Sequence, residues 1–111
     1  MASPKKPPAT IAQVKDIVPK LAELTERVVF GEVWSRPGLS PRDRSLITVA
    51  ALIALAREDQ LKGHIWRAMD NGVTKEELSE VFTHLAFYAG WPNGIAAAKV
   101  AKAVYAERDA P

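Results

Sequence analysis

Two imidazoles, His64 and His84, a group of arginines and one acid in a tryptophan-bearing segment are the groups here that can do chemistry. The histidines fall into neither an H-x3-H nor an H-E-x-x-H pattern and stand far apart in the chain, so they do not form a zinc motif. No metal site is expected. Either histidine can be a satisfied packing residue or a proton-transfer group, because imidazole alone titrates near neutral pH without perturbation. Arg42, Arg44, Arg57 and Arg67 stand around the ends of one apolar run, and Arg36 precedes it. Arg44 lies two residues before that run, so its stem is expected to be partly buried. Its guanidinium then needs a carboxylate, from Glu32, from Glu58 or from a ligand. Ser45 lacks the G-x-S-x-G context of a serine nucleophile, and no glycine-rich phosphate loop is present. What remains is a set of bases, one acid (Glu32), two imidazoles and aromatics. Such a set suits proton transfer on a small anionic substrate, and not nucleotide or redox cofactor chemistry.

The elements that must position these groups read as helices throughout. Ser40-Pro41-Arg42-Asp43 is a helix start: a serine N-cap, proline at the first position and an acid in the first turn. The apolar run behind it, Leu46 to Ala56 broken only by Thr48, predicts a central helix covered on nearly every side. Arg57-Glu58-Asp59 makes a polar break, and a second helix carries His64 to about Asp70, with Gly72 as its left-handed stop. Thr74-Lys75-Glu76-Glu77 is a capping box. Behind it Leu78, Val81, Phe82, Leu85, Ala86 and Ala89 fall on one face that also approaches His84 and Tyr88. Gly90 ends that helix, Pro92 restarts another, and an alanine-rich segment follows. Upstream, Thr10 is expected to cap a short helical start. Pro19 then opens a helix capped near Asp16, which runs to about Phe30. Gly31 to Gly38 reads as an irregular connection in which Trp34 either plugs the end of the bundle or lines a site. No stretch alternates with period two. The expectation is an all-α chain of about five or six helices around a buried central helix, with residues 1–9 a proline- and lysine-bearing disordered arm and 10–111 one domain.

Composition narrows the function classes. The chain of 111 residues has no cysteine, which excludes disulfides, thiolate metal sites, thiol nucleophiles and dithiol redox chemistry. A net charge of +2 without a basic, aromatic-laced stripe argues against nucleic-acid binding. The longest apolar run is well short of the ~18 residues of a membrane span. The first residues carry charge without a following apolar stretch, so a secretory signal is not expected and a cytoplasmic location is.

Three segments, FGEVWSRPGLSPRDRSLITVAALIAL, LKGHIWRAMDNGVTKEELSEV and HLAFYAGWP, resemble the carboxymuconolactone decarboxylase family in order and spacing, over roughly residues 28–105. In the peroxidase-like branch of that superfamily a glutamate, a C-x2-C pair and a histidine follow at fixed spacing. Counted back from His64, those positions here hold Ser45, Arg57 and Gln60. The histidine is kept and the dithiol is gone, so the resemblance points to the decarboxylase branch, although Gln60 stands where that branch leads one to expect a glutamate. The resemblance implies an alkylhydroperoxidase-like helical fold assembling as a trimer or hexamer, with sites near subunit contacts. It implies cofactor-free decarboxylation of a small lactone acid such as 4-carboxymuconolactone, in aromatic-acid catabolism. The roles that follow are Arg44 and Arg36 as carboxylate clamps, and His64 as proton donor or oxyanion partner. Glu32 would orient a base, Trp34 and Tyr88 would wall the pocket, and His84 would be a second imidazole. Other outcomes for such a chain are a different small-acid substrate, or a non-catalytic oligomeric partner of another domain.

Overall fold

Residues 6–111 are described by the computed structural model. A 3-10 turn, Thr10–Gln13, leads into helix α1, Pro19–Leu24, which continues without a break into wide π-type turns over Thr25–Val33. Helices α2 (Pro41–Ala54), α3 (Glu58–Asp70), α4 (Lys75–Tyr88) and α5 (Trp91–Asp109) follow. There is no strand among the described residues, as the missing period-two pattern predicts. The expected arm of residues 1–9 lies for its first five positions outside the described residues, and Lys6 to Ala9 adopt no regular structure.

The helix starts and stops of the second half are those written in the sequence. The Ser40 hydroxyl accepts from the Asp43 amide at 3.0 Å, with Pro41 in the first turn. The Thr74 and Glu77 side chains cap each other's backbone amides reciprocally. Gly72, at φ 98°, closes α3 with the Val73 amide returning to the Ala68 carbonyl, and Gly90, at φ 107°, turns the chain from α4 into α5. Between α2 and α3 the left-handed position falls instead on Ala56, at φ 57°.

The core places α3, not α2, at the centre. Leu61, Ile65, Trp66 and Ala68 of α3 are buried, and α3 packs on both α2 and α5. Leu78, Phe82, Ala97, Ala101 and Val104 complete the interior from α4 and α5. The expectation of a central α2 covered on nearly every side needs correction. That helix buries one stripe, Ser45, Val49 and Ile53, while Ile47 is 57% exposed. A chain this short has too few remaining helices to cover a second face of α2. Ser45 is fully buried, and its hydroxyl accepts from Asn71 Nδ2 at 3.0 Å, tying the start of α2 to the end of α3.

The N-terminal limb departs most from its predicted form. Ala9, not Thr10, precedes the first turn, and α1 begins after Val18 without a side-chain cap, not near Asp16. The helix does not stop at Phe30 but runs through Val33 in wide turns, so the irregular connection shrinks to residues 34–40. Two residues favour the change of winding. The Thr25 hydroxyl donates to the Leu21 carbonyl at 2.7 Å, competing for an acceptor of the helix ladder at the point where the winding widens. Gly31 has its α-carbon so close to the Glu26 carbonyl that a Cβ there would stand 3.0 Å from the oxygen. The Trp34 amide then closes the last wide turn on the Val29 carbonyl at 2.9 Å. Wide turns of this kind are rare and are frequently found at functional sites.

Candidate functional site

The wide turns bring two aromatic rings against α3. Phe30 and Trp34 stack on each other at 5.8 Å between centroids, and His64 stacks on both, at 6.4 Å and 6.0 Å. Arg67, one turn beyond His64 on α3, lays its guanidinium over the same rings, 4.4 Å from the Phe30 centroid and 5.3 Å from that of Trp34. Residues three apart on a helix share a face, so the imidazole and the guanidinium are neighbours on one wall and the rings form the other.

The electrostatics follow from that packing. Burial among the rings disfavours the charged imidazolium, and the positive charges of Arg67 and Lys6 add to the effect, so the pKa of His64 is lowered from 6.5 to about 4. At neutral pH this histidine is therefore uncharged, able to donate one hydrogen bond and accept another. Its Nδ1 atom is buried with no hydrogen-bond partner.

Arg44 meets the segment that follows Trp34. Its Nη2 donates to the Arg36 carbonyl at 3.0 Å, whereas its Nε is buried and unpartnered. Arg44 Nε and His64 Nδ1 are the two buried side-chain polar atoms without a partner among the described residues. Such an atom costs about 1–3 kcal/mol unless something pairs with it. Residues 30–36 thus touch both orphaned groups, the rings on His64 and the Arg36 carbonyl on Arg44.

The other sequence-predicted groups are placed differently. Arg36 enters through its main chain, and its side chain is exposed. Glu32 is exposed and forms neither a hydrogen bond nor an ion pair among the described residues, so neither it nor Glu58 partners Arg44. His84 and Tyr88 stack on each other at 4.6 Å on the outer face of α4, with Tyr88 79% exposed and no ring contact to Trp34 or His64. Arg57 and Gln60 are exposed at the start of α3. Arg42 pairs with Glu77 and its own neighbour Asp43. No three histidine, aspartate or glutamate side chains converge among the described residues. Phe30 and Arg67 are not among the site residues expected from the sequence. Both were detectable, since Phe30 stands four before Trp34 and Arg67 three after His64, the spacings at which helical side chains meet.

A second feature lies on the far side. Helices α4 and α5 enclose an open groove of roughly 500 Å³ lined by Phe82, Phe87, Trp91, Ile95 and Tyr105, with Lys75 and Lys102 along it. Phe87 and Trp91 meet edge to face at 5.1 Å yet remain 73% and 58% exposed.

Comparison with known proteins gives this arrangement a context. The 4-carboxymuconolactone decarboxylase of Acinetobacter baylyi is 43% identical over 96 residues, spanning 86% of this chain and 72% of that protein. Nitrosuccinic acid decarboxylase npaB of Metarhizium robertsii is 40% identical over 75 residues, 68% of this chain but about half, 52%, of the fungal protein. The family model described as the carboxymuconolactone decarboxylase family matches residues 19–103. That span runs from the first residue of α1 nearly to the end of α5 and includes every residue of the aromatic nest, and on this ground the chain belongs to the carboxymuconolactone decarboxylase family.

Proposed function

We propose that this protein is a cofactor-free carboxy-lyase acting on a small lactone carboxylic acid of the 4-carboxymuconolactone type. The observation that carries the reading is the pair of orphaned buried nitrogens, Arg44 Nε and His64 Nδ1, on residues that both contact the stretch from Phe30 to Arg36. A cation and a neutral imidazole together suit an anion whose charge moves during reaction. In such a substrate the carbon–carboxylate bond breaks, carbon dioxide leaves, and the electron pair passes through the ring alkene to the lactone carbonyl. The oxygen becomes a dienolate, and one proton must then be added at carbon. Arg44 holds a carboxylate by charge-assisted hydrogen bonds. Neutral His64 donates to the developing oxyanion, where a preorganised donor is worth more than in water. The arriving carboxylates raise the affinity of its free nitrogen for a proton, which it takes up from solvent and passes to carbon as general acid, returning to the neutral form. Phe30 and Trp34 wall one side of the imidazole. The relative named for nitrosuccinic acid favours a second substrate, an acyclic acid that can lose carbon dioxide to leave a carbanion stabilised by its nitro group.

The same reading includes a homo-oligomer, a trimer or hexamer, in the cytoplasm. Support for assembly comes from the exposed Phe87, Trp91 and Tyr88, which a single chain of this size leaves in water. In an assembly, the His84–Tyr88 stack and Glu32 would meet neighbouring subunits and not their own nest. Among the described residues no helix is long and apolar enough to cross a membrane. Domain organisation is read as one helical unit over residues 10–111.

Turnover of 4-carboxymuconolactone and of nitrosuccinic acid, followed by carbon dioxide release, tests the reading. The wild type is expected to turn over one of them, and His64→Ala and Arg44→Ala each to lose about 100-fold or more in kcat/KM, the usual effect of removing an acid–base group or an oxyanion donor. Activity unchanged in both folded variants, or no turnover of either acid by the wild type, overturns it.

A further inference from the structure

We propose that Arg67 is a carboxylate-binding residue of this site, taking one carboxylate of the substrate in a bidentate pair beside His64. The inference rests on the decarboxylase reading for the identity of the ligand, but its geometry is independent of it. Arg67 is half-buried on α3 and forms no ion pair among the described residues. The acid on its own helix face, Asp70, is already held by Arg108 at 2.9 Å. Its guanidinium carbon lies close to the Phe30 and Trp34 rings, and none of its N–H groups makes a side-chain hydrogen bond among the described residues. A planar fork of donors held at the rings matches the two oxygens of a carboxylate, and little side-chain freedom is lost when they pair. The rings that hold the fork also hold the imidazole, so a carboxylate on Arg67 sets the rest of a small ligand against His64.

This placement gives the site two cations with different tasks. Arg44 is fixed by the Arg36 carbonyl on the α2 side, and Arg67 by the rings on the α3 side. On this proposal a substrate with two carboxylates can offer one to each cation, whereas a monocarboxylate leaves one unpaired.

The test uses the full chain and succinate as an inert dicarboxylate probe, with binding read from the His64 imidazole resonances. Arg67→Met keeps the apolar stem on the rings and serves as the folding control, and Arg67→Lys and Arg67→Gln complete the set. Succinate is expected to shift the His64 resonances in the wild type. Affinity should fall about 10- to 100-fold in Arg67→Gln and Arg67→Met, with part restored in Arg67→Lys, as loss of a charged hydrogen-bonded pair implies. In turnover, KM should rise by a similar factor with a smaller change in kcat. Equal succinate affinity in the wild type and folded Arg67→Gln, or no shift in the wild type at any concentration, overturns the proposal. Arg67-dependent succinate binding without turnover of either acid would leave the anchor standing and defeat the decarboxylase reading. Turnover with unchanged KM in Arg67→Gln would do the reverse.

Discussion

The N-terminal limb and the four-helix body that follows contribute to the same site by opposite means. No residue of Thr10–Gln13, Pro19–Leu24 or Thr25–Val33 is buried, and Ile17 is 76% exposed. The body, by contrast, closes Val49, Ile65, Leu78 and Val104 completely and ends its helices in formed caps. Yet His64 and Arg67 come from the body, and the two rings against them come from the limb. Stability and site assembly are therefore carried by different stretches of chain. A well-packed scaffold holds the reactive groups, and a loosely buried limb supplies their surroundings. The limb belongs to the part of a fold that opens most easily, because few buried contacts resist it.

The largest effect should come from breaking the body while leaving the limb alone. Leu78→Ala removes a fully buried side chain and is expected to lower unfolding free energy by about 2–5 kcal/mol. Trp34→Ala in the limb should cost about 1 kcal/mol or less and yet abolish most turnover. Chemical denaturation of both variants beside their activity checks the division, and comparable stability losses would erase it.

A smaller effect is expected from pH. The folded state holds His64 at about 4, below its ordinary value of 6.5, so between those values the unfolded chain binds more protons. The contribution of His64 to stability is thus fully present above about pH 6.5 and declines as pH falls toward 4. Opening the nest by Trp34→Ala should move the His64 pKa back upward, read by NMR titration, and flatten this dependence. Glu77 adds to the acid side of the curve. Hydrogen bonds from Arg42 and from the Thr74 amide hold its carboxyl below the usual range, and that support disappears when it is protonated.

The smallest change in stability, and the sharpest on geometry, is expected from Gly31→Ala. Alanine is the better helix former by about 1 kcal/mol, but its Cβ meets the Glu26 carbonyl of the wide turn. The two effects nearly cancel in denaturation. The outcome to measure is a displaced ring-current shift on His64 together with reduced turnover; an unaltered shift would show that the wide turns do not set the rings.

Much of the body was legible because its signals are local. The Ser40 cap, the Thr74–Glu77 box and the glycines at 72 and 90 each act within a few residues, and each is found where its chemistry predicts. His64 was legible as one member of a spaced constellation whose other members are replaced. The limb was not, because a change from α to wider winding leaves neither a cap nor a distinct periodicity in the sequence. The widening after Leu24 depends on a threonine back-bond and one glycine's close approach, neither of which announces itself. Arg67 was hidden among several arginines, since nothing in composition separates a stacked guanidinium from a solvated one. Glu32, His84 and Tyr88 were grouped with the site by kind, whereas the fold sends their side chains to outer faces.

The wide turns between Thr25 and Val33 make this limb a ruler. Each residue of an α-helix advances the chain by about 100° around its axis. One residue added to or removed from this stretch therefore swings Phe30 and Trp34 together, although every side chain keeps its identity. A substitution there alters a ring, but a change of length alters which ring faces the imidazole at all. Relatives that differ by a single residue in this stretch would present the same histidine with a different wall, so the surroundings of His64 can be reshaped by counting alone while α3 stays untouched.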